Sequence, residues 1–369
     1  MGDPIVGAAD ASRANTRARF EQWVNNPTCE ANILSTVHDV GIDKAAKKLG
    51  YESQFKQSTF AVTRGNQFEA GLYKDDATIL IAALKRVKAV KEKIDPAFID
   101  LRLRMNGGKK IASIEQAMQE TLKMLKDANS GKVKVLTIVA GPLIKIPKGI
   151  LLPEATLIID SLILNPKKDG SVELTVGEIK IFPDRGGNTD PSQLSSARAQ
   201  AGVYVHGLTM VIESLGMSEK LKVRSNGFLV FTWPGSNSPV VRWDEDLRWQ
   251  AQRAAVGFDQ LENAALKVFD ESQRKISEDA LVDLVIESSK TYNSSCIKFC
   301  DMNRHCFDEA LKRSDPVILG DDSARFFYGF TLERISELLS GKKAVNDREQ
   351  DLQRQLIDDS TLPPILGVK

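Results

Sequence analysis

A chain of 369 residues has room for about two or three ordinary domains, and a composition that is 42% hydrophobic and 27% charged is that of a globular protein in water. The net charge of +1 excludes a general electrostatic pull toward nucleic acid or membrane, so any polyanion site has to be a local patch. No run of about 18 apolar residues occurs, and no membrane span is expected.

The start, "MGDPIVGAADASR", lacks the basic and then apolar segments of a secretory signal, and Val6 stands where a myristoylation pattern wants Ser or Thr. The expected location is the cytoplasm. Residues 1 to about 15 are small and polar and predicted to be disordered. Residues 16–60 read as helical, with Cys29 just after the turn-like "NNPT". "TRGNQFEAGLYKDDATILIAALKRVKAVKEKI" reads as two helices with apolar residues at helical spacing, and "SIEQAMQETLKMLKDA" as a third.

The texture then changes. Segments 133–141, 155–164, 171–182 and 221–233 are short, β-branched and bounded by Gly, Pro or Asn, which predicts strands. "SQLSSARAQAGVYVHGLTMVIESLG" between the last two reads as a helix. After about residue 243 the pattern is helical again to about 340, and the last thirty residues look like a polar tail. The predicted organisation is an α/β core over 61–240, with a helical insertion at about 75–130, between helical arms at 1–60 and 241–340, and a tail at 341–369.

One strand carries an anomaly. In "VELTVGEIKIF", Glu178 and Lys180 lie two apart and so share a face with Val172, Leu174 and Val176. A charge on an apolar face is costly unless it is paired or binds an ion. Three readings are open: a solvated strand tip, a buried ion pair, or a metal-dependent hydrolytic site. The last needs a second carboxylate, and Asp160 is the one charged residue in the apolar run "TLIIDSLIL". A hairpin through "NPKKDG" would bring it toward Glu178, giving a hard-oxygen pair suited to Mg²⁺ or Mn²⁺. On the following helix Gln200 and Tyr204 are four apart and share a face, with Ser196 one turn earlier. Three of the four cysteines, Cys296, Cys300 and Cys306, fall within eleven residues, which suits a metal or cluster site better than a redox pair.

Asp160, Glu178-x-Lys180 and Gln200-xxx-Tyr204, in that order on strand, strand and helix, resemble the PD-(D/E)XK nuclease superfamily, and its RecB-type branch in particular. The cysteines are similar to the iron staple of AddB-type and CRISPR-associated adaptation nucleases, in which one cysteine precedes the core and three follow it. Here Cys29 precedes it and Cys296, Cys300 and Cys306 follow, spaced C-x3-C-x5-C where those relatives more often show C-x2-C-x5-C. The resemblance implies a restriction-endonuclease-like mixed sheet flanked by helices, and a 4Fe–4S cluster on the four thiolates. A structural Zn²⁺, with His305 as a possible mixed ligand, and buried unliganded thiols are the other readings of the cysteines.

It further implies that Asp160 and Glu178 bind the divalent cation with help from Glu69 and the Ile179 carbonyl. His38 is the other upstream candidate. Lys180 would orient the attacking water, Gln200 and Tyr204 would position the scissile strand or the lysine, and Arg64 would contact phosphate. The implied substrate is DNA, single-stranded or with free ends rather than intact duplex. Basic runs at 84–93, 102–110 and 165–168 could follow its backbone, though each also reads as a solvated face. No G-x-x-x-x-G-K-[ST] loop occurs, so a motor would have to come from a partner, a helicase or a defence complex. The competing function is a non-catalytic nucleic-acid-binding or scaffold protein with a zinc ion held by the four cysteines.

Overall fold

The computed structural model describes residues 22–38, 40–55, 59–102, 113–146, 156–268, 276–293 and 295–358. They form two compact units, one within residues 57–262 and the other from the stretches within 19–56 and 263–369. The expected disorder of residues 1–15 lies outside the described residues.

The chain opens with α1 (Glu30–His38) and α2 (Ile42–Lys48), both in the second unit. α1 is buried from Ala31 to Val37. Its Thr36 hydroxyl bonds the Asn32 carbonyl (2.8 Å) and its Ser35 hydroxyl the Val40 carbonyl (2.6 Å), so the polar side chains are satisfied locally.

The first unit begins with α3 (Thr59–Leu72) and α4 (Lys74–Arg86). A left-handed stretch at Asp75, Asp76 and Ala77 gives the second helix a kinked start. β1 (Ala97–Asp100) and α5 (Ile114–Asn129) follow, the latter capped by the Ser113 hydroxyl, which accepts from Gln116 N–H. Then come β2 (Thr137–Ala140), β3 (Leu143–Lys145), β4 (Thr156–Ile158), β5 (Ser161–Pro166) and β6 (Val172–Pro183). The long helix α6 (Pro191–Ser214) leads to β7 (Leu221–Val223), β8 (Asn226–Thr232), β9 (Pro239–Asp246) and α7 (Arg248–Val268).

Seven strands make one mixed sheet in the order β1-β2-β5-β6-β8-β9, with β7 also on β6; β3 and β4 pair separately. β2, β5 and β6 are successive antiparallel neighbours, and β8 lies parallel to β6 after the α6 crossover. α3 and α4 cover one face, where Phe68, Leu72, Leu80 and Leu84 pack with Ile163, Ile179, Phe228 and Val230. The protein is thus α/β, with a mixed seven-stranded sheet flanked by helices.

The second unit continues with α8 (Glu278–Glu287), α9 (Cys296–Phe299), α10 (Asn303–Arg313), a 3₁₀ turn at Pro316–Leu319, α11 (Asp321–Phe326), α12 (Leu332–Leu339) and α13 (Asp347–Asp358). One apolar core joins Leu34, Ile42, Val285, Tyr292, Met302, Ile335, Leu338 and Leu352 with all four cysteines.

Several expectations are revised. The stretch 75–130, read as helical, holds β1, whose parallel pairing with β2 makes it part of the sheet. β9 also runs beyond the point where helix was expected, because Val241 and Trp243 pack inward while Asp244 and Asp246 are exposed. "TLIIDSLIL" is not one strand, since β4 and β5 belong to different sheets and Asp160 sits in the break. Within 341–369, read as a tail, α13 docks on the core through Leu352 and Leu356, with Glu349 bonded by Arg334 (2.6 Å). Residues 359–369 lie outside the described residues. Of the two predicted arms, the stretches within 19–56 and 263–340 fall in one unit, while 241–262 belongs with the sheet.

Candidate active site

Antiparallel register pairs Leu162 with Val176 and Ser161 with Gly177, and that last pair leaves Asp160 and Glu178 as the next residue on each side. The chain enters β5 from another sheet, and the ladder ends there. The Asp160 carboxylate takes over, with Oδ2 accepting from Ile179 N–H at 2.9 Å and Oδ1 from the Tyr204 hydroxyl at 3.4 Å. Glu178 is fully buried, and its Oε1 lies 2.6 Å from Nζ of Lys180, which keeps 21% exposure. The ammonium is therefore the solvent-facing end of the pair.

α6 is fixed by Pro191 at its first turn and by Asp190, whose carboxylate accepts from the backbone of Ser192 and Gln193 at 3.0 Å each. Tyr204 is wholly buried and Gln200 is buried one turn before it, while Ser196 is exposed. Gly202 lets the helix approach α7, since a Cβ there would stand 2.6 Å from the Gln250 carbonyl carbon.

Glu69 is half-buried on α3, with Oε1 3.7 Å from Arg102 Nη1. Two residues that the motif reading did not single out complete this flank. Tyr73, one turn after Glu69, donates its hydroxyl to the Asp160 backbone carbonyl at 2.7 Å. Arg102 lies over the Tyr73 ring at 4.5 Å and grips Asp100 with Nε (2.7 Å) and Nη2 (2.5 Å). Burial, and next the charge of Glu69, push the Tyr73 phenol well above its ordinary range, so it stays a neutral donor. The sequence signal for Tyr73 was its i, i+4 spacing from Glu69. Arg102, the first residue of a run read as a phosphate track, is buried and committed to Asp100; residues 103–110 lie outside the described residues. In the third basic run Lys167 pairs with Glu173 at 3.1 Å. Arg64 is exposed on α3, and His38 closes α1 in the other unit.

In the second unit Cys29, Cys296, Cys300 and Cys306 are all buried and free of disulfides. They line one small pocket of about 10 Å³, together with Asn26, Lys290 and Met302. Asn26 Nδ2 bonds both the Cys296 sulfur (3.2 Å) and the Thr291 carbonyl (2.6 Å), and Asn293 N–H approaches the same sulfur at 3.5 Å. Burial, and after it the neighbouring thiols, raise Cys300 well above the ordinary thiol range and push Cys306 up to about 12. His305 is not part of the lining; its Nε2 is 3.4 Å from Glu309 and its ring meets Tyr51 edge-on.

Among the described residues no three His, Cys, Asp or Glu side chains converge on one point closely enough to hold a metal ion as placed. Asp160, Glu178 and Glu69, the expected carboxylate ligands, are thus not gathered into one three-carboxylate site. Comparison with protein-family models, curated proteins and solved structures gave no match. Fold and site define a mixed α/β protein with a carboxylate–carboxylate–lysine cluster where β5 and β6 meet, and a thiol-lined cavity in its second unit. No helix among the described residues is long and apolar enough to cross a membrane.

Proposed function

We propose that the chain is a divalent-metal-dependent nuclease of the PD-(D/E)XK type, with a restriction-endonuclease-like core and a 4Fe–4S cluster on its four cysteines. The observation that carries the reading is that Asp160, held by Ile179 N–H at 2.9 Å and by Tyr204, and Glu178, with Lys180 at 2.6 Å, are the residues next after the last β5–β6 pair. The order of elements supports it too: a helix bearing Glu69, three antiparallel strands, the Gln200/Tyr204 helix, and a strand parallel to the third.

Two carboxylates suit Mg²⁺ or Mn²⁺, which commonly take one or two of them and complete their shell with water and substrate phosphate. Bound by Asp160 and Glu178, the cation supplies Lewis-acid polarisation of the phosphate and acidifies a water. Ile179 N–H and the Tyr204 hydroxyl hold the Asp160 carboxylate in one orientation. Lys180 places a positive charge beside the reacting phosphate, where it orients water and offsets developing negative charge. Glu178, without exposure, keeps that end of the site dry. Four cysteine thiolates are the ligand set of a 4Fe–4S cluster. With free thiols the chain suits the cytoplasm. DNA is the substrate by resemblance, and a helicase or defence complex would supply any translocation.

The test is Lys180→Ala against wild type on single- and double-stranded DNA with Mg²⁺ or Mn²⁺, with circular dichroism on both. The expected result is a loss of about a hundredfold or more with the fold retained. Unchanged cleavage would move the site elsewhere. A wild type that cuts nothing, with a variant that only melts earlier, would make the Glu178–Lys180 contact a structural ion pair and favour the scaffold reading.

A further inference from the structure

β8 lies parallel to β6 with Leu229 in register with Glu178 and Val230 with Ile179. Residues in register on neighbouring strands share a face, and side chains alternate along each strand. Leu229 and Phe231 therefore lie on the face of Glu178, while Phe228, Val230 and Ile179 pack on the other; Trp233 follows directly after the last residue of β8, beyond a register shift between Ile179 and Pro183. Phe182, two residues past Lys180, agrees: its ring lies 6.0 Å from that of Phe231. Leu229 and Phe231 are fully buried, whereas Trp233 is 52% exposed. An indole is thus exposed at the end of β8, two residues after the buried Phe231.

The backbone there is fixed. Trp233 N–H donates to the Ser238 carbonyl at 2.8 Å and Ser236 N–H to the Trp233 carbonyl at 3.0 Å. Alongside, Asp184 N–H donates to the Thr232 carbonyl at 2.9 Å, and its buried carboxylate accepts from Gly187 N–H (2.7 Å), the Thr189 hydroxyl (2.6 Å) and Arg242 (3.2 Å). That holds the 184–189 turn, which presents an exposed Arg185 beside the tryptophan hairpin. An aromatic face with a cation next to it takes an unpaired base and its phosphate. A duplex hides its base faces inside the stack and cannot use it.

We propose that Trp233 is a stacking platform for an unpaired base, that Arg185 takes the adjoining phosphate, and that the polynucleotide held there is single-stranded and leads to Glu178 and Lys180. The last clause rests on the nuclease reading; the binding does not. The test is fluorescence anisotropy in EDTA with short labelled single-stranded DNA, single-stranded RNA and blunt duplex. Wild type is compared with Trp233→Ala, Trp233→Phe and Arg185→Ala, and circular dichroism checks each fold. Wild type should prefer unpaired strands of either sugar. Trp233→Ala should weaken them roughly tenfold or more, Trp233→Phe should restore most of the affinity, and Arg185→Ala should flatten the salt dependence. Equal binding by Trp233→Ala, or a preference for duplex, overturns the platform, and Lys180-dependent cleavage would then leave the nuclease reading standing. No binding to any strand also overturns it and assigns the patch to a protein partner; absent cleavage as well would remove both readings.

Discussion

Asp160 has two duties that substitution can separate. Its carboxylate satisfies a backbone N–H where the β5–β6 ladder stops, and it brings a negative charge to the same ladder end as Glu178. Asp160→Asn keeps an acceptor for Ile179 and should cost under about 1 kcal/mol, while Asp160→Ala strands a half-buried donor and should cost about 1–3 kcal/mol. Urea unfolding of both variants checks this, and nuclease activity should be lost equally in the two. Asp184 offers a pH signature. Burial opposes its ionisation, but Thr189, Gly187 and Arg242 outweigh that, and its carboxyl titrates below the ordinary range. A depressed folded-state value stabilises the protein above the unfolded carboxyl range, about 3.9, and that stability fades as pH falls through the folded value. Asp184→Asn should therefore lower the urea midpoint at pH 7 and make it less steep in acid. A parallel acid limb in wild type and variant would contradict this.

Between β6 and β8 the limiting contact is at Gly177, where a Cβ would lie 2.2 Å from the Phe228 ring. Phe228 is fully buried and cannot swing away, so Gly177→Ala should cost about 1–3 kcal/mol by overpacking. Equilibrium unfolding reads it directly, and a double variant with Phe228→Leu should recover part of the loss. Such contacts explain how legible the fold was in the sequence. β6, α5 and α6 showed their period because each has one plainly apolar side, and the Glu178–Lys180 anomaly stood out against it. β1 was hidden because "AFID" is four residues long, too short for a period, and joins the sheet only by pairing with β2. The break at Asp160 was hidden because β4 and β5 are equally apolar, so nothing local separates one strand from two. Arg102 belongs to the site through a contact across the fold that no spacing could disclose, and for Tyr73 the spacing from Glu69 gave the helix face but not the bond to Asp160.

The second unit is built from both ends of the described chain. Asn26 and Cys296, in hydrogen-bond contact, are 270 positions apart, and Tyr51 similarly reaches Asp308 at 2.6 Å. Closing a loop of that length costs on the order of 5 kcal/mol, and the contacts between the two stretches have to meet it. The four cysteines sit at that junction, one from the first stretch and three from the second. A cluster bound there would make the closure covalent in effect, and thiolates that burial disfavours would be held by iron. Protein purified without oxygen should therefore be brown, with a broad visible absorbance and about four irons per chain. Removing the iron with a chelator should lower the melting temperature, and Cys29→Ser should lower it too while bleaching the absorbance. Each of Cys296, Cys300 and Cys306 changed to Ser should do the same, because any missing corner opens the same loop. Colourless protein with one zinc per chain would replace the cluster by a single ion on the four thiolates. Serine variants that melt with wild type would show that hydrophobic contacts around Leu34, Val285 and Met302 close the loop unaided.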